Sequence, residues 1–294
     1  MAVDVAILGS GAVGALVGAA LVRSGASALL VTREATADRL AAEGLRVTSP
    51  RFGELHVDVP AAPRLAEPAG ALLVAVKAPD LRAALERVEA EPDVVVPLLN
   101  GVDHVAVLHE RFGDRVVAGV IRVQAHREGP THVVHRAPFV TVALADPPAV
   151  VAGATDRLAA ALTAAEVDVS RGGSEATVLW GKLARLAGLA LATTAADAPL
   201  GEVRADAEAV AREVVPVAAA EGAGLDADRL VGELRALPDA ASSSLRADVT
   251  AGVADHELDA IAGAVLRGAA RHGLRAPRTA ELAERIAARA RGTL

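Results

Sequence analysis

The stretch Val3-Asp4-Val5-Ala6-Ile7-Leu8-Gly9-Ser10-Gly11-Ala12-Val13-Gly14 decides the fold. A short run rich in Val, Ile and Leu meets glycine at once, which suits a strand buried on both faces. The apolar stretch that follows reaches Val22 and is closed by Arg23 and Ser24, so it reads as a helix. Strand, glycine turn and helix, in that order, form the setting in which G-x-G-x-x-G binds a dinucleotide. Gly9 permits the tight turn, Gly11 lets backbone approach a pyrophosphate, and Gly14 lets the helix pack on the strand. The helix start offers unpaired N–H groups and a partial positive charge to phosphates. Gly9, Ser10, Gly11, Ala12, Val13 and Gly14 are therefore candidate cofactor ligands; the bland alternative is an ordinary tight turn.

Working outward, the first half alternates strands and helices. Strands are expected at Ala28–Thr32, Leu45–Thr48, Glu54–Val59, Ala71–Val76 and Val94–Leu98, with helices at Thr36–Gly44, capped by Thr36, and at Asp80–Val88. Repeated β-α-β units imply a doubly wound parallel sheet. Between Val116 and Ala145 turn clusters separate short apolar runs, which reads as antiparallel strands. From about Ala149 the chain turns Ala-rich and helical. The expectation is an α/β fold: a Rossmann domain over residues 1–169 and an all-α substrate domain over residues 170–294.

Composition narrows the function classes. Hydrophobic residues make up 52% of 294, enough for a real core. Aromatics are 1% and the net charge is -7, which speaks against a stacking surface or a basic footprint for nucleic acid. No Cys is present, which removes disulfides, thiolate catalysis and Cys-ligated zinc. The eight His form no cluster with metal-ligand spacing, so no metal is expected. Asp4 interrupts the first apolar run and no basic segment precedes it, so the start does not read as a signal peptide; no membrane span is expected, and the default is a soluble cytoplasmic protein.

Further candidates lie past the carboxyl ends of the parallel strands, where such sheets bind ligands. Thr32-Arg33-Glu34 follows the second strand. Arg33 comes first and favours the 2′-phosphate of NADP, whereas Glu34 keeps NAD open. Lys77 is placed to reach a phosphate or the nicotinamide side, and Asn100 to hold a ribose, a carboxamide or a substrate oxygen. A surface Lys and an Asn-Gly turn are the plain readings of the same residues.

Gly9–Gly14, Arg33, the Val-Lys-Ala-Pro segment at Lys77 and Leu-Leu-Asn-Gly-Val at Asn100 resemble the 2-dehydropantoate 2-reductase (ketopantoate reductase) family. So do Gly119-Val120, the segment 128–135, Trp180-Gly181-Lys182-Leu183-Ala184, Ser243-Ser244-Leu245 with Asp248, Glu257-Leu258-Asp259, and His272-Gly273-Leu274 with Pro277. The resemblance runs in order from end to end. It implies an NADP-binding Rossmann domain, a helical C-terminal domain and an active site between them. It also implies NADPH-dependent reduction of a 2-oxo acid to a 2-hydroxy acid in pantothenate biosynthesis, with a homodimer left open. By the same resemblance Lys182 is the catalytic lysine, Glu257 orients it or accepts from a substrate hydroxyl, Ser244 binds the substrate carboxylate, and Asn100 bridges cofactor and substrate. A ketone becoming an alkoxide needs a proton donor and a positive charge at its oxygen, which a lysine supplies. The plainer readings are a snorkelling surface Lys182 and a solvated Glu257 beside Asp255 and His256.

The chain departs from the family pattern where a substrate would sit. The family usually carries Asn four and eight residues after the lysine; Leu186 and Ala190 stand there. Arg185 and Thr193 share the lysine's helical face, and Arg185 is a candidate carboxylate anchor, with a surface ion pair as its alternative. Other functions remain open: a hydroxy acid dehydrogenase with another substrate, or an NADP-binding protein without catalysis.

Overall fold

The computed structural model describes residues 3–292. The chain divides into two compact units. One runs to Leu99 and resumes over His104–Glu175; the other holds Asn100–Asp103 and continues from Ala176.

The first unit begins with β1 (Val3–Leu8), α1 (Ala12–Arg23), β2 (Ala28–Val31), α2 (Glu34–Glu43), β3 (Leu45–Ser49), β4 (Gly53–Val57), β5 (Ala61–Ala62), β6 (Ala69–Val74), α3 (Leu81–Leu85) and β7 (Val95–Pro97). It continues through α4 (His104–Phe112), β8 (Gly119–Arg122), β9 (Ala125–Gly129), β10 (His132–His135), β11 (Thr141–Leu144), α5 (Ala152–Ala164) and β12 (Asp168–Arg171). The central sheet is parallel, in the order β5-β2-β1-β6-β7. Its strands are buried on both sides, and the period-2 alternation divides them between two cores. Val5, Ile7, Ala71, Leu73 and Val96 meet Leu16 of α1 and Leu158 of α5. Ala6, Leu8, Leu72, Val74 and Val95 meet Leu81 of α3 and Leu108 of α4. Helices on both faces make the sheet doubly wound, as the alternating pattern implies.

The order reverses between β1 and β6. The crevice outside the carboxyl ends of strands at such a switch point is where open α/β sheets bind ligands. The glycine turn leaves β1 there, and Lys77 follows β6.

Two smaller sheets complete the unit, in the orders β4-β3-β10-β9 and β12-β11-β8. The strands expected to be antiparallel over Val116–Ala145 pair so among themselves, β10 with β9 and β11 with β8, and two of them also take a parallel partner from outside that stretch, β10 with β3 and β11 with β12. Those partners come from distant sequence, which a local alternation pattern does not record. β12 itself, three of its four residues polar and exposed along most of its length, interrupts the stretch expected to be helical from Ala149. β6 lies two residues earlier than its apolar run suggests, because pairing with β1 runs from Val3↔Ala69 to Leu8↔Val74. α2 starts at Glu34 with Arg33 at its N-cap, not Thr36. The helix expected over Asp80–Val88 is shorter, a 3-10 turn at Ala78–Asp80 running into α3.

The second unit is helical: α6 (Glu175–Ala196, joined to it from Ala176), α7 (Leu200–Ala220), α8 (Ala227–Arg235), α9 (Ser244–Thr250), a π-helical turn at Asp259–Gly263, α10 (Ala264–Arg271) and α11 (Pro277–Ala290). Its Ala and Gly content lets helix axes approach closely. A Cβ on Gly188 of α6 would stand 2.6 Å from the Ala207 carbonyl oxygen of α7, and one on Gly268 of α10 would stand 2.7 Å from Val217. Trp180, only 3% exposed, packs beside that same Gly268 in the helical core. Among the described residues no helix is long and apolar enough to cross a membrane.

Candidate active site

In the first unit the glycine turn has the geometry a dinucleotide requires. Gly9 adopts φ +105°, a conformation that side chains disfavour, and its amide donates to the Val31 carbonyl at 2.9 Å. A Cβ on Gly14 would overlap the Gly9 carbonyl oxygen, so α1 can lie this close only with glycine there. At Gly11 the reverse holds: the nearest atom to a Cβ would be the Ala75 oxygen, 4.0 Å away. That open side is the space a pyrophosphate takes when backbone amides cradle it. Gly11 is the N-cap of α1 and supplies no side-chain cap, and the first turn carries no acidic residue. Its amides therefore stay available to an anion.

Ser10 and Thr32 are both buried, and their hydroxyls meet at 2.6 Å. Thr32 thus ties the glycine turn to the end of β2. Arg33, next in the chain, is exposed at the N-cap of α2. Lys77 is half-buried at the start of the 3-10 turn beyond β6. The sequence reading passed over Arg127 of β9, which donates from Nη1 to the Ser10 carbonyl and from Nε to the Gly129 carbonyl at 3.0 Å.

A second set of residues gathers in the helical unit. Asn100 follows β7 in the chain but belongs with the helices: its side-chain amide donates to Glu257 at 2.8 Å. Gly101, at φ +85°, lies so close to the Ala260 carbonyl that a Cβ would overlap it. Asp103 pairs with Arg267 at 2.7 Å, and Arg267 also holds Asp259 at 2.7 Å. The Asn100–Asp103 turn is thereby fastened to the π-helical turn that follows Glu257. Such turns are frequent at functional sites.

Lys182, half-buried on α6, feels both Glu257 and Arg185. Burial pulls its ammonium down to about 8, against the opposing attraction of Glu257, and Arg185 adds to the lowering. Arg185 is half-buried too. Leu186 is half-buried, and Ala190 is 0% exposed. Ser244 is the first residue of α9 and exposed; the cap is its neighbour Ser243, whose hydroxyl accepts from the Arg246 amide at 3.2 Å. Ser243 also meets Thr193 at 3.2 Å, so Thr193 serves a helix-to-helix tie. The structure thus joins Asn100 to Glu257, places Lys182 within the electrostatic influence of Glu257 and Arg185, and gives Thr193 a packing role. Among the described residues no group of three or more His, Asp or Glu is arranged to hold a metal ion.

A switch-point crevice with a glycine turn and a helical unit carrying a lysine–carboxylate–amide set define a dinucleotide-binding oxidoreductase fold. Sequence profiles agree: the family described as Ketopantoate reductase PanE/ApbA matches residues 5–147, and its C-terminal family matches residues 176–290. The chain belongs to the ketopantoate reductase family, oxidoreductases that act on CH–OH groups. Similar solved structures span nearly the whole chain. A PanE/ApbA family ketopantoate reductase from Ralstonia eutropha JMP134 is 26% identical, with a TM-score of 0.86 over 99% of each chain. A 2-dehydropantoate 2-reductase from Geobacter metallireducens GS-15 is 24% identical, with a TM-score of 0.85 over 97% of this chain and 99% of that one. A D-mandelate dehydrogenase, solved with NADH and anilino(oxo)acetate, is 21% identical, with a TM-score of 0.88 over 99% of each. No curated protein sequence matches significantly.

Proposed function

We propose that this protein reduces a 2-oxo acid to a 2-hydroxy acid with a nicotinamide cofactor, NADPH ahead of NADH. The observation that carries the reading is Lys182, a lysine held near neutrality opposite a carboxylate that is itself hydrogen-bonded to Asn100. The glycine turn supports a dinucleotide, and Arg33, exposed at the end of β2, supports the 2′-phosphate.

Bound in reduced form, the nicotinamide supplies a hydride to the carbonyl carbon. Lys182 supplies the other half of the reaction: as the C=O bond opens, its ammonium donates a proton to the oxygen and then recovers one from solvent. An acid with a pKa near 8 is well matched to that transfer at neutral pH. Glu257 keeps the positive charge on Lys182 and fixes Asn100. With one amide hydrogen on Glu257, Asn100 turns its remaining donor and its carbonyl oxygen to cofactor or substrate. Ser244 and Arg185 bind the carboxylate.

Ketopantoate is the family's substrate. Leu186 supports a close relative with an apolar side chain, since it offers no partner to a substrate hydroxyl, whereas Ala190 is buried within the helical unit. The D-mandelate dehydrogenase neighbour was solved with NADH and anilino(oxo)acetate.

The test is NADPH and NADH oxidation across branched, unbranched and aromatic 2-oxo acids, including ketopantoate and its analogue lacking the hydroxyl. Turnover of several, lost in Lys182→Ala while cofactor still binds, is the expected result. A protein that binds NADPH yet turns over none is a binding protein, and the reductase reading fails.

A further inference from the structure

Arg127 occupies a position where a strand normally places an apolar side chain. It pairs across β9 and β10 with Val133, which is 0% exposed within the core that also holds Ala15 and Leu16 of α1. Ala125, two residues earlier on the same pleat face, packs against that core. The strand therefore points a guanidinium toward α1 and the glycine turn.

Its known partners are two backbone carbonyls, those of Ser10 and Gly129. A guanidinium has five N–H donors, and these two bonds engage two of them. Among the described residues no Asp or Glu lies within 4.0 Å of it. Glu128, its neighbour, alternates to the other face and stands 3.6 Å from both His126 and His132. Burial lowers the affinity of Arg127 for its proton, with no charged neighbour to offset the effect. A partly buried cation without an anion is costly, and such a cost is retained where a ligand brings the counter-charge.

We propose that Arg127 is the counter-ion of a phosphate of the bound dinucleotide, and that its bond to the Ser10 carbonyl holds the glycine turn in register with that phosphate. The inference rests on the dinucleotide reading of the turn. Ser10 lies between Gly9 and Gly11, so the guanidinium stands beside the amides that receive the pyrophosphate. Its planar fork suits two phosphate oxygens at once.

The test is the fluorescence titration of NADH and of NADPH against the parent, Arg127→Met and Arg127→Lys, with melting temperatures measured without cofactor. The expected result is a Kd at least 10-fold weaker for both cofactors in Arg127→Met, partial recovery in Arg127→Lys, and a melting point close to the parent's, since Met fills a core-facing site. Loss for NADPH alone assigns the contact to the 2′-phosphate instead of the pyrophosphate and leaves the counter-ion role standing. If both variants bind like the parent within 2-fold, or if Arg127→Met melts much lower while binding is kept, Arg127 is structural and the proposal is overturned. Should Arg127→Met not fold, the same Kd comparison on Arg127→Lys decides. A parent that binds neither cofactor overturns the dinucleotide reading and this proposal with it.

Discussion

The side-chain amide of Asn100 and the carboxylate of Glu257, 157 positions apart, are joined at 2.8 Å. A hydrogen bond to a carboxylate contributes on the order of 1.5–3 kcal/mol. It also fixes which way the amide points, so one contact sets the orientation of Asn100 and keeps the Glu257 charge facing Lys182.

Replacing Asn100 with Asp sets two carboxylates against each other at that distance. Like charges this close disfavour each other's ionisation, so the pair keeps a proton to higher pH than a lone carboxylate does. We expect Asn100→Asp to lose at least 100-fold in kcat at pH 8 and to recover in part at pH 6, as the pair gains its proton. Initial rates with saturating cofactor at the two pH values check this; equal losses at both would mean that charge is not the issue.

Lys182 must carry its proton to act as the acid. With its ammonium near 8, reduction is expected to be flat with pH at neutrality and to fall above about pH 8. Glu257 favours the charged form, so removing it lowers the Lys182 pKa and moves the falling limb to lower pH. Glu257→Gln should therefore shift the limb down while Lys182→Arg moves it beyond the accessible range. A pH–kcat profile of Glu257→Gln that coincides with the parent's would dismiss the Lys182–Glu257 pairing.

Much of the first unit is legible in the sequence for a physical reason. Val3–Leu8 must bury both faces, and Gly9 and Gly14 stand where a side chain is disfavoured or in the way, while Gly11 keeps an open side. What stays hidden depends on distant partners. Nothing local in Leu45–Ser49 announces β10 as a parallel neighbour, and Asp168–Arg171 is too polar to read as a strand. Asn100 reads as a turn past the end of a strand, yet its side chain is bonded to Glu257, 157 positions on. Arg127 carried one signal that the reading missed: a cation on the apolar face of an alternating strand.

Gly11 and Gly14 separate binding from folding. A methyl on Gly11 enters open space at an N-cap, where Ala costs about 1 kcal/mol or less relative to Gly. A methyl on Gly14 meets the Gly9 carbonyl, and relieving that overlap costs roughly 1–3 kcal/mol. Gly11→Ala is expected to melt within a few degrees of the parent yet bind NADPH at least 10-fold more weakly, whereas Gly14→Ala loses both. Calorimetry and fluorescence titration check the pair, and undiminished binding by Gly11→Ala would remove the pyrophosphate from that face of the turn.

Arg33 should decide between the cofactors. The hydroxyl of Thr32 is engaged by Ser10, which leaves Arg33 as the charged side chain directly past β2. Arg33→Ala is expected to weaken NADPH at least 10-fold and NADH less than 2-fold, measured as Kd on the same preparation. Equal effects on both would mean that Arg33 contacts something other than a 2′-phosphate.

Leu186 stands one helical turn beyond Lys182 and is half-buried on the same face. A substrate hydroxyl placed against it loses its solvent partners and gains none, at roughly 1–3 kcal/mol. An amide there would return that partner, so Leu186→Asn should raise the preference for ketopantoate over its analogue lacking the hydroxyl by about 10-fold, the equivalent of ~1.4 kcal/mol. The effect belongs in kcat/KM for the hydroxylated substrate, with cofactor Kd unchanged, because Leu186 lies on the helical unit and not on the glycine turn. Competition between the two substrates in one assay measures the ratio directly. A ratio unmoved by the substitution would mean that the substrate's side chain points away from α6, and Arg185 would then lose its case as a carboxylate anchor on that helix as well.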